Sequence, residues 1–371
     1  MIDGYREVAL LLSRQPLRPH GDTPWVRKII DAVSWLKGER AAICSSIGLQ
    51  TWEMVTTVTV DAGLPLILFI PVENEARYWA ECVRVIHEFD LNTRVVTFVP
   101  VLAPKDRHAA RAMLEARDRA VISRADLILP VSVRERGSLR RLIDDAESNG
   151  KQIMARFETP HTGRHDALSF EIDPGAVREE LPREAAEYII HWTRSCNTAW
   201  PGERLIDYYR AIIDSPTYPR SAFTTLKRIL ESRKIIASSR HMPRKTATVS
   251  FSGLSPTELI PLIKWRARYR EMSFEPYGVG IKREVAERLG IKPVLYYEPD
   301  DAGSVQAADT WRSQSVGQVT DWRREEEYRH LGNLDLSRIP DDALLAVCYT
   351  EGEAKRLQSE IGVRTISFIP S

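Results

Sequence analysis

The chain has 371 residues, of which 43% are hydrophobic and 28% charged, and its 52 basic side chains against 51 acidic ones leave a formal net charge of +1. That length exceeds what one hydrophobic core usually serves and points to two domains, while the near-neutral balance excludes a globally cationic binder of nucleic acid. Four scattered cysteines, Cys44, Cys82, Cys196 and Cys348, contain no Cys-x-x-Cys pair, so a reducing, cytoplasmic setting is expected rather than a zinc ribbon or a disulfide framework.

The first apolar run, residues 8–12, is flanked by charges and is too short for a signal peptide or a membrane span, so no membrane anchor is expected. Further short apolar runs follow at 41–45, 64–70, 95–99, 127–131 and 152–155, separated by helical patterns. This alternation predicts a parallel sheet with helices on both faces. Gly63-Leu64-Pro65 and Asn149-Gly150-Lys151 fall where a helix must end and a strand begin. Residues 1–158 are therefore expected to form a Rossmann-like domain.

From 158 to 182 the chain is polar and rich in breakers, with Pro160, Gly163, Pro174, Gly175 and Pro182, and this stretch reads as a linker. Beyond it, strands are predicted over 188–193 and 246–252, helices over 220–233 and 256–268, and short strands around 278–281, 294–297 and Tyr328. Residues 184–371 thus read as an α+β domain. The fold class expected for the whole chain is α/β, a Rossmann-like parallel sheet followed by a second α+β domain, with no internal repeat.

In an open parallel sheet, ligands bind beyond the carboxyl ends of the strands. Ser45-Ser46-Ile47-Gly48 follows the second run and precedes a helical segment, where small residues let backbone amides approach a phosphate. Glu73 follows the third run. Arg136-Gly137-Ser138 opens the helical pattern at 139–146, with Arg134 and Arg136 as charge partners. Gly137 and Ser138 serve equally as a helix cap, and Ser45 and Ser46 as a turn. Neither a Gly-x-Gly-x-x-Gly fingerprint nor a Walker lysine motif occurs.

The stretch from Arg117-Asp118-Arg119 to Leu127-Ile128-Leu129-Pro130, followed by Arg136-Gly137-Ser138-Leu139 and Gly150-Lys151-Gln152-Ile153, resembles the Rossmann-like fold of DNA-processing protein A and its nucleotide-sensing relatives. The likeness spans about residues 36–156. In place of the family's glycine-rich turn this chain has Cys44-Ser45-Ser46-Ile47-Gly48, with one glycine. The resemblance implies a nucleotide or nucleic-acid-derived ligand that is sensed, at Ser45, Ser46, Gly48, Arg136, Gly137 and Ser138.

Near the other end, Glu325 and Glu327 stand two residues apart, a spacing that puts both carboxylates on one face of a strand. In a helix they would diverge by about 200°, leaving a charged surface with Trp322 and Tyr328 turned inward. Two earlier segments are candidates to converge with them. Tyr188-Ile189-Ile190-His191-Trp192-Thr193-Arg194 is an apolar strand ending in polar groups, and Val249-Ser250-Phe251-Ser252-Gly253 alternates hydroxyls with an aromatic ring.

This order, a His or Arg on an early strand, Ser-x-Ser on a middle one and Glu-x-Glu on a late one, resembles the ADP-ribosyltransferase superfamily, whose split sheet cradles NAD. The likeness covers about residues 186–335. The run Trp322 to Arg329, with Gly278-Val279-Gly280-Ile281 and Pro293-Val294-Leu295-Tyr296-Tyr297 before it, is also similar to an uncharacterised bacterial family associated with abortive phage infection. The first resemblance implies NAD as cofactor. Glu327 would bind the ribose hydroxyls and stabilise charge developing on the sugar, and Glu325 would orient or deprotonate the acceptor. His191 or Arg194 would hold the diphosphate or the adenosine ribose, Ser250 and Ser252 would shape the nicotinamide pocket, and Tyr277 or Trp192 would stack on a ring. As residues alone, His191 at a strand end reads first as a core histidine, and the two serines as partners of nearby backbone.

His161 and His165 stand four apart, but Gly163 between them argues against a helix-borne metal pair, and no metal is expected. Lys264, Trp265, Arg266, Arg268, Tyr269 and Arg270 read as the outer face of a half-buried helix or as a stacking surface for a nucleic acid strand. The combined expectation is a bacterial defence-type protein that senses a nucleotide with its first domain and acts on NAD or nucleic acid with its second. Two alternatives stay open. One is a non-catalytic nucleotide- or DNA-binding protein. The other is a nucleoside or nucleotide hydrolase with Glu73 as acid and residues 45–48 as the phosphate turn.

Overall fold

Continuous apolar runs can be buried on both faces, and that is how the first half of the chain uses them. The computed structural model describes residues 4–102, 109–163, 167–240, 242, 245–316 and 322–370. In chain order the first elements are β1 (Arg6–Leu12), α1 (Pro24–Leu36), β2 (Ala41–Ser46), α2 (Gln50–Asp61), β3 (Leu66–Val72) and α3 (Glu75–Glu88), then β4 (Val96–Leu102), α4 (Ala109–Arg124), β5 (Leu127–Ser132), α5 (Ser138–Ser148) and β6 (Gln152–Ile153). All six strands are parallel, in the order β4-β3-β2-β1-β5-β6. Alternate side chains go to opposite layers. Val8, Leu10 and Leu12 join the core containing α1 and α2, whereas Ala9 and Leu11 join the core containing α4 and α5. The order reverses between β1 and β5, which makes that crevice the topological switch point of the sheet.

After α6 (Leu181–Ala185) and β7 (Tyr188–Trp192) comes α7 (Leu205–Asp214). The chain divides into two units, Met1–Asp166 with Asn197–Pro219, and Ala167–Cys196 with Arg220–Ser371. A single cut between 158 and 184 therefore misses the return of α7 to the first unit. The reason is burial: Ile206, Tyr208, Tyr209 and Ile212 belong to the first unit's core, the Tyr209 hydroxyl donates to Glu53 at 2.6 Å, and Arg210 pairs with Asp61 at 2.6 Å. The breaker-rich stretch is divided: Pro160 and Gly163 stay with the first unit, while Pro174, Gly175 and α6, with Leu181 and Ala185 buried, belong to the second.

The second unit continues with α8 (Ala222–Ser232), β8 (Lys234–Ile235), β9 (Thr248–Ser252), α9 (Pro256–Leu259), β10 (Trp265–Arg266), β11 (Glu271–Met272) and β12 (Gly278–Lys282). It then adds α10 (Arg283–Arg288), β13 (Lys292–Pro293), β14 (Leu295–Tyr297), β15 (Ser313–Ser315) and β16 (Glu327–Leu331). Its last elements are β17 (Leu334–Asp335), β18 (Leu344–Thr350), α11 (Glu351–Ile361) and β19 (Thr365–Ile369). Seven strands form one sheet in the order β13-β16-β9-β7-β12-β18-β19, antiparallel except for the β18–β19 pair. The expected strands over 188–193, 246–252 and 278–281 and the helix over 220–233 are present with small shifts at their ends.

The helix expected over 256–268 stops after α9. Ser255 and Glu258 form a capping box that starts it, but Pro261 has no N–H for a further α-helical bond, and the chain tightens into a 3-10 turn at Ile260–Leu262. Trp265 to Met272 is instead the β10–β11 hairpin, with Arg270 in the left-handed region at φ 54°. The basic and aromatic residues there lie on a hairpin, not on the outer face of a helix.

Candidate functional site

Strands β7 and β9 pair at one position, Ile190 opposite Ser252, and then part. On the other side of β7, five residues of β12 pair continuously with it, and on the other side of β9 so do five of β16. Glycine permits the close approach of β12: a Cβ on Gly278 would stand 2.6 Å from Ile190 Cγ2 and 2.9 Å from the His191 carbonyl oxygen. A cleft of about 470 Å³ lies at the opening between β7 and β9, lined by His191, Ser250, Ser252, Glu325, Glu327 and Arg329 at the strands and by Trp192, Arg194, Arg240, Arg266, Tyr269 and Glu271 around them.

The strand-borne groups are linked in series. The ring of His191 lies edge-on to Phe251, and its Nδ1 donates to the Ser250 carbonyl oxygen at 2.8 Å. A carbonyl only accepts, so Nδ1 carries the proton. Burial lowers the pKa of this histidine below 6.5, which keeps the ring neutral and leaves Nε2 as an acceptor. The Ser250 hydroxyl donates at 2.7 Å to Glu327 Oε1. Arg329, 2% exposed, grips the same carboxylate with Nε and Nη2, each at 2.8 Å, while Nη2 also reaches Gln314 Oε1 at 3.1 Å. Such a two-pronged pair fixes the orientation of Glu327 and neutralises much of its charge.

The strand geometry expected for the acidic pair holds for one member only. Glu325 ends a 3-10 turn, Trp322–Glu325; Glu326 has φ 44°, and strand β16 begins at Glu327. Both carboxylates nevertheless line the cleft because the turn is pinned to β9. The Ser252 hydroxyl donates to the Glu325 carbonyl at 2.6 Å, and the Gly253 amide to the Glu326 carbonyl at 2.8 Å. Burial, and secondarily the charge of Glu327, push the Glu325 carboxyl up to about 7, against the pull of Arg266, Arg194 and Lys264. Near neutral pH it is thus divided between acid and base, the condition a proton-transfer group needs.

Facing this pair, Arg194, Arg266 and Arg240 converge on one carboxylate, Glu271, at 3.2, 3.0 and 3.3 Å. Three guanidinium groups against one carboxylate leave a surplus of positive charge facing the cleft. Of the four, the sequence had singled out Arg194 and Arg266; Arg240 and Glu271, like Gln314, carry no local pattern that would have marked them. Two of the expected ligand residues have other employment. Tyr277 does not line the cleft: it is buried, meets Phe170 and Phe223 edge-on, and donates its hydroxyl to Glu353 at 2.9 Å in the capping box of α11. Ser252 lines the cleft, yet its hydroxyl is committed to the turn that carries Glu325.

In the first unit, Ser45 and Ser46 are wholly buried within β2. Ser45 Oγ bonds the Trp52 carbonyl at 3.0 Å and Thr56 Oγ1 at 2.9 Å, and Ser46 Oγ donates to the Phe69 carbonyl at 2.7 Å. Neither hydroxyl faces a ligand space, because in a strand covered on both sides each side chain enters one of the two cores. Gly48, at φ 84°, makes the turn into α2, but its amide already donates to Glu53 at 3.0 Å. Glu73 is exposed in the bend after β3. Gly137 caps α5 without a side-chain hydrogen bond, and Ser138 is its first residue; both line a cavity at the switch point, and Arg136 lines a neighbouring one. His161 is engaged at both nitrogens, by the Arg14 carbonyl at 3.1 Å and the Gly163 amide at 3.1 Å, and His165 lies outside the described residues. Among the described residues no three His, Cys, Asp or Glu side chains are grouped to hold a metal ion, and no helix is long and apolar enough to cross a membrane.

Fold and site together define an α/β protein with a Rossmann-like parallel-sheet unit and an α+β unit whose split sheet holds an arginine-rimmed acidic cleft. No family model and no curated protein matches the chain. Among solved structures it is similar in part to DNA processing protein A from Streptococcus pneumoniae, at 12% identity and a TM-score of 0.31 over 41% of this chain and 50% of that one. It is likewise similar to DNA processing protein A from Helicobacter pylori, described for its single-stranded DNA binding mode, at 20% identity and a TM-score of 0.30 over 41% of this chain and 65% of that one. This chain thus spans half to about two thirds of the length of those proteins.

Proposed function

We propose that the cleft of the second unit binds a dinucleotide of the NAD type and acts on the glycosidic bond of its ribose. The observation that carries this reading is the series His191, Ser250 and Glu327 across three neighbouring strands, opening on the same cleft as Glu325. The arginines around Glu271 suit a diphosphate, and Trp192 and Tyr269 offer flat surfaces to a ring. His191 Nε2, a lone-pair acceptor, suits a ribose hydroxyl.

In the hydrolytic case, water attacks the anomeric carbon of the ribose while the bond to the nicotinamide nitrogen breaks. The bonding pair neutralises the pyridinium, and the water proton passes to the Glu325 carboxylate. Glu327, held in place by Arg329 and Ser250, supplies negative potential beside the sugar as positive charge develops there. The bacterial-defence expectation and the choice between water and a nucleic acid or protein acceptor belong to this proposal.

A second reading has its own observation. The Arg329 fork already occupies Glu327, which suits a cleft that binds nucleotide without turning it over. Incubation with NAD labelled in the nicotinamide ring, for the native chain and for Glu325→Gln and Glu327→Gln, separates the two. Catalysis predicts release of nicotinamide, slowed roughly a hundredfold or more in either variant. Thermal stabilisation by NAD with no release from any of the three would leave binding alone.

A further inference from the structure

On α4, Arg117 is 2% exposed and lines the cavity at the β1–β5 switch point in the first unit. Its guanidinium lies over the Trp52 ring at 5.3 Å, and Nε and Nη2 both reach Asp118 Oδ1, at 3.0 and 2.8 Å. Nη1 is buried and has no hydrogen-bond partner among the described residues. An unsatisfied buried donor on a cation is costly, and at the wall of a cavity it points to an acceptor supplied by a ligand. The same cavity is bounded by Gly137 and Ser138 at the start of α5, an eleven-residue helix whose cap makes no side-chain hydrogen bond, so its first-turn amides are open to an acceptor there. Arg14, Arg134 and Arg141 stand on the exposed rim, with no carboxylate paired to their side chains among the described residues.

We propose that this cavity binds a mononucleotide, whose phosphate oxygens accept hydrogen bonds from Arg117 Nη1 and the first amides of α5. This goes beyond the reading of the second unit and does not depend on it. The cavity has a volume of about 290 Å³, near the lower bound for small-molecule sites and suited to one nucleotide, not to a strand. Leu49 and Leu114 give it an apolar wall for the base, and Arg14, Arg117, Arg134 and Arg141 outnumber the two carboxylates in the lining, Glu115 and Asp118, which leaves positive charge for the phosphate. The serines of β2 take no part. The ligand is set at the crevice where the strand order reverses, beside Gly137 and Ser138 and one strand away from Ser45, Ser46 and Gly48.

Calorimetric titration of the full chain with AMP, adenosine and inorganic phosphate tests the proposal. AMP binds, adenosine binds at least roughly a hundredfold more weakly, and Arg117→Met abolishes the preference for AMP over adenosine. Because Arg117 is buried, its variant is checked for native circular dichroism. The double variant Arg134→Gln, Arg141→Gln, exposed and compatible with folding, gives an independent reading, with AMP affinity lowered roughly tenfold or more. The proposal is overturned if AMP does not bind at millimolar concentration, if AMP and adenosine bind equally, or if the rim variant leaves the affinity unchanged. Binding of a single-stranded oligonucleotide in the absence of AMP binding also overturns it.

Discussion

Replacing Glu325 by glutamine separates the cost of its ionisation from everything else the residue does. Folded, the carboxyl titrates at about 7, against an ordinary value of 4.5 that the unfolded chain restores. Between those values the folded protein holds a proton that the unfolded one has released, so stability falls as pH rises through this window. The group's contribution is fully present below about pH 4.5 and gone above about pH 7. At about 1.36 kcal/mol per pKa step, the total is on the order of 3 kcal/mol, most of it lost between pH values of about 5 and about 8. A glutamine side chain at this position cannot ionise, so the difference between the two proteins reports the ionisation of Glu325 together with its coupling to Glu327. Urea unfolding of the two proteins across that range therefore shows the variant gaining on the native chain by roughly 2–3 kcal/mol as pH rises. Parallel curves would refute the argument, because they would mean that Glu325 is neither desolvated nor near Glu327 in the folded state.

Two further outcomes follow from the same region. Gly278→Ala places a Cβ 2.6 Å from Ile190 Cγ2, against a packed strand that cannot yield without moving His191; thermal unfolding should show a loss of about 1–3 kcal/mol, with weaker nucleotide binding in the cleft. Arg329→Met leaves Glu327, 16% exposed at its side chain, without its forked partner. Denaturant unfolding should show a loss of about 3–5 kcal/mol at neutral pH, and Glu327→Gln in the same background should recover part of it.

The inner strands β1, β2, β3 and β5 of the first unit were legible because a parallel sheet covered on both faces demands uninterrupted apolar residues, and runs such as Leu127-Ile128-Leu129 have few other uses. The return of α7 was not legible: its apolar stripe says that it must be buried somewhere, while only the packing of Ile206, Tyr209 and Ile212 says where. Ser45 and Ser46 mislead for the opposite reason, since a hydroxyl in a turn and one bonded inside a core are the same letter. The order of His191, Ser250 and Glu327 along the chain suggested a meeting through its resemblance to a split-sheet family, whereas the pairing of β16, β9 and β7 side by side is a property of the folded sheet. That Glu325 reaches the cleft through a kink at Glu326, and not through the alternation of a strand, was decided by Ser252 and Gly253 holding the turn. The chain by itself determines which residues must leave water and where backbone runs extended. Tertiary structure decides which polar groups then lack partners, because desolvation of Glu325 and of the Arg117 guanidinium depends on neighbours far away in sequence.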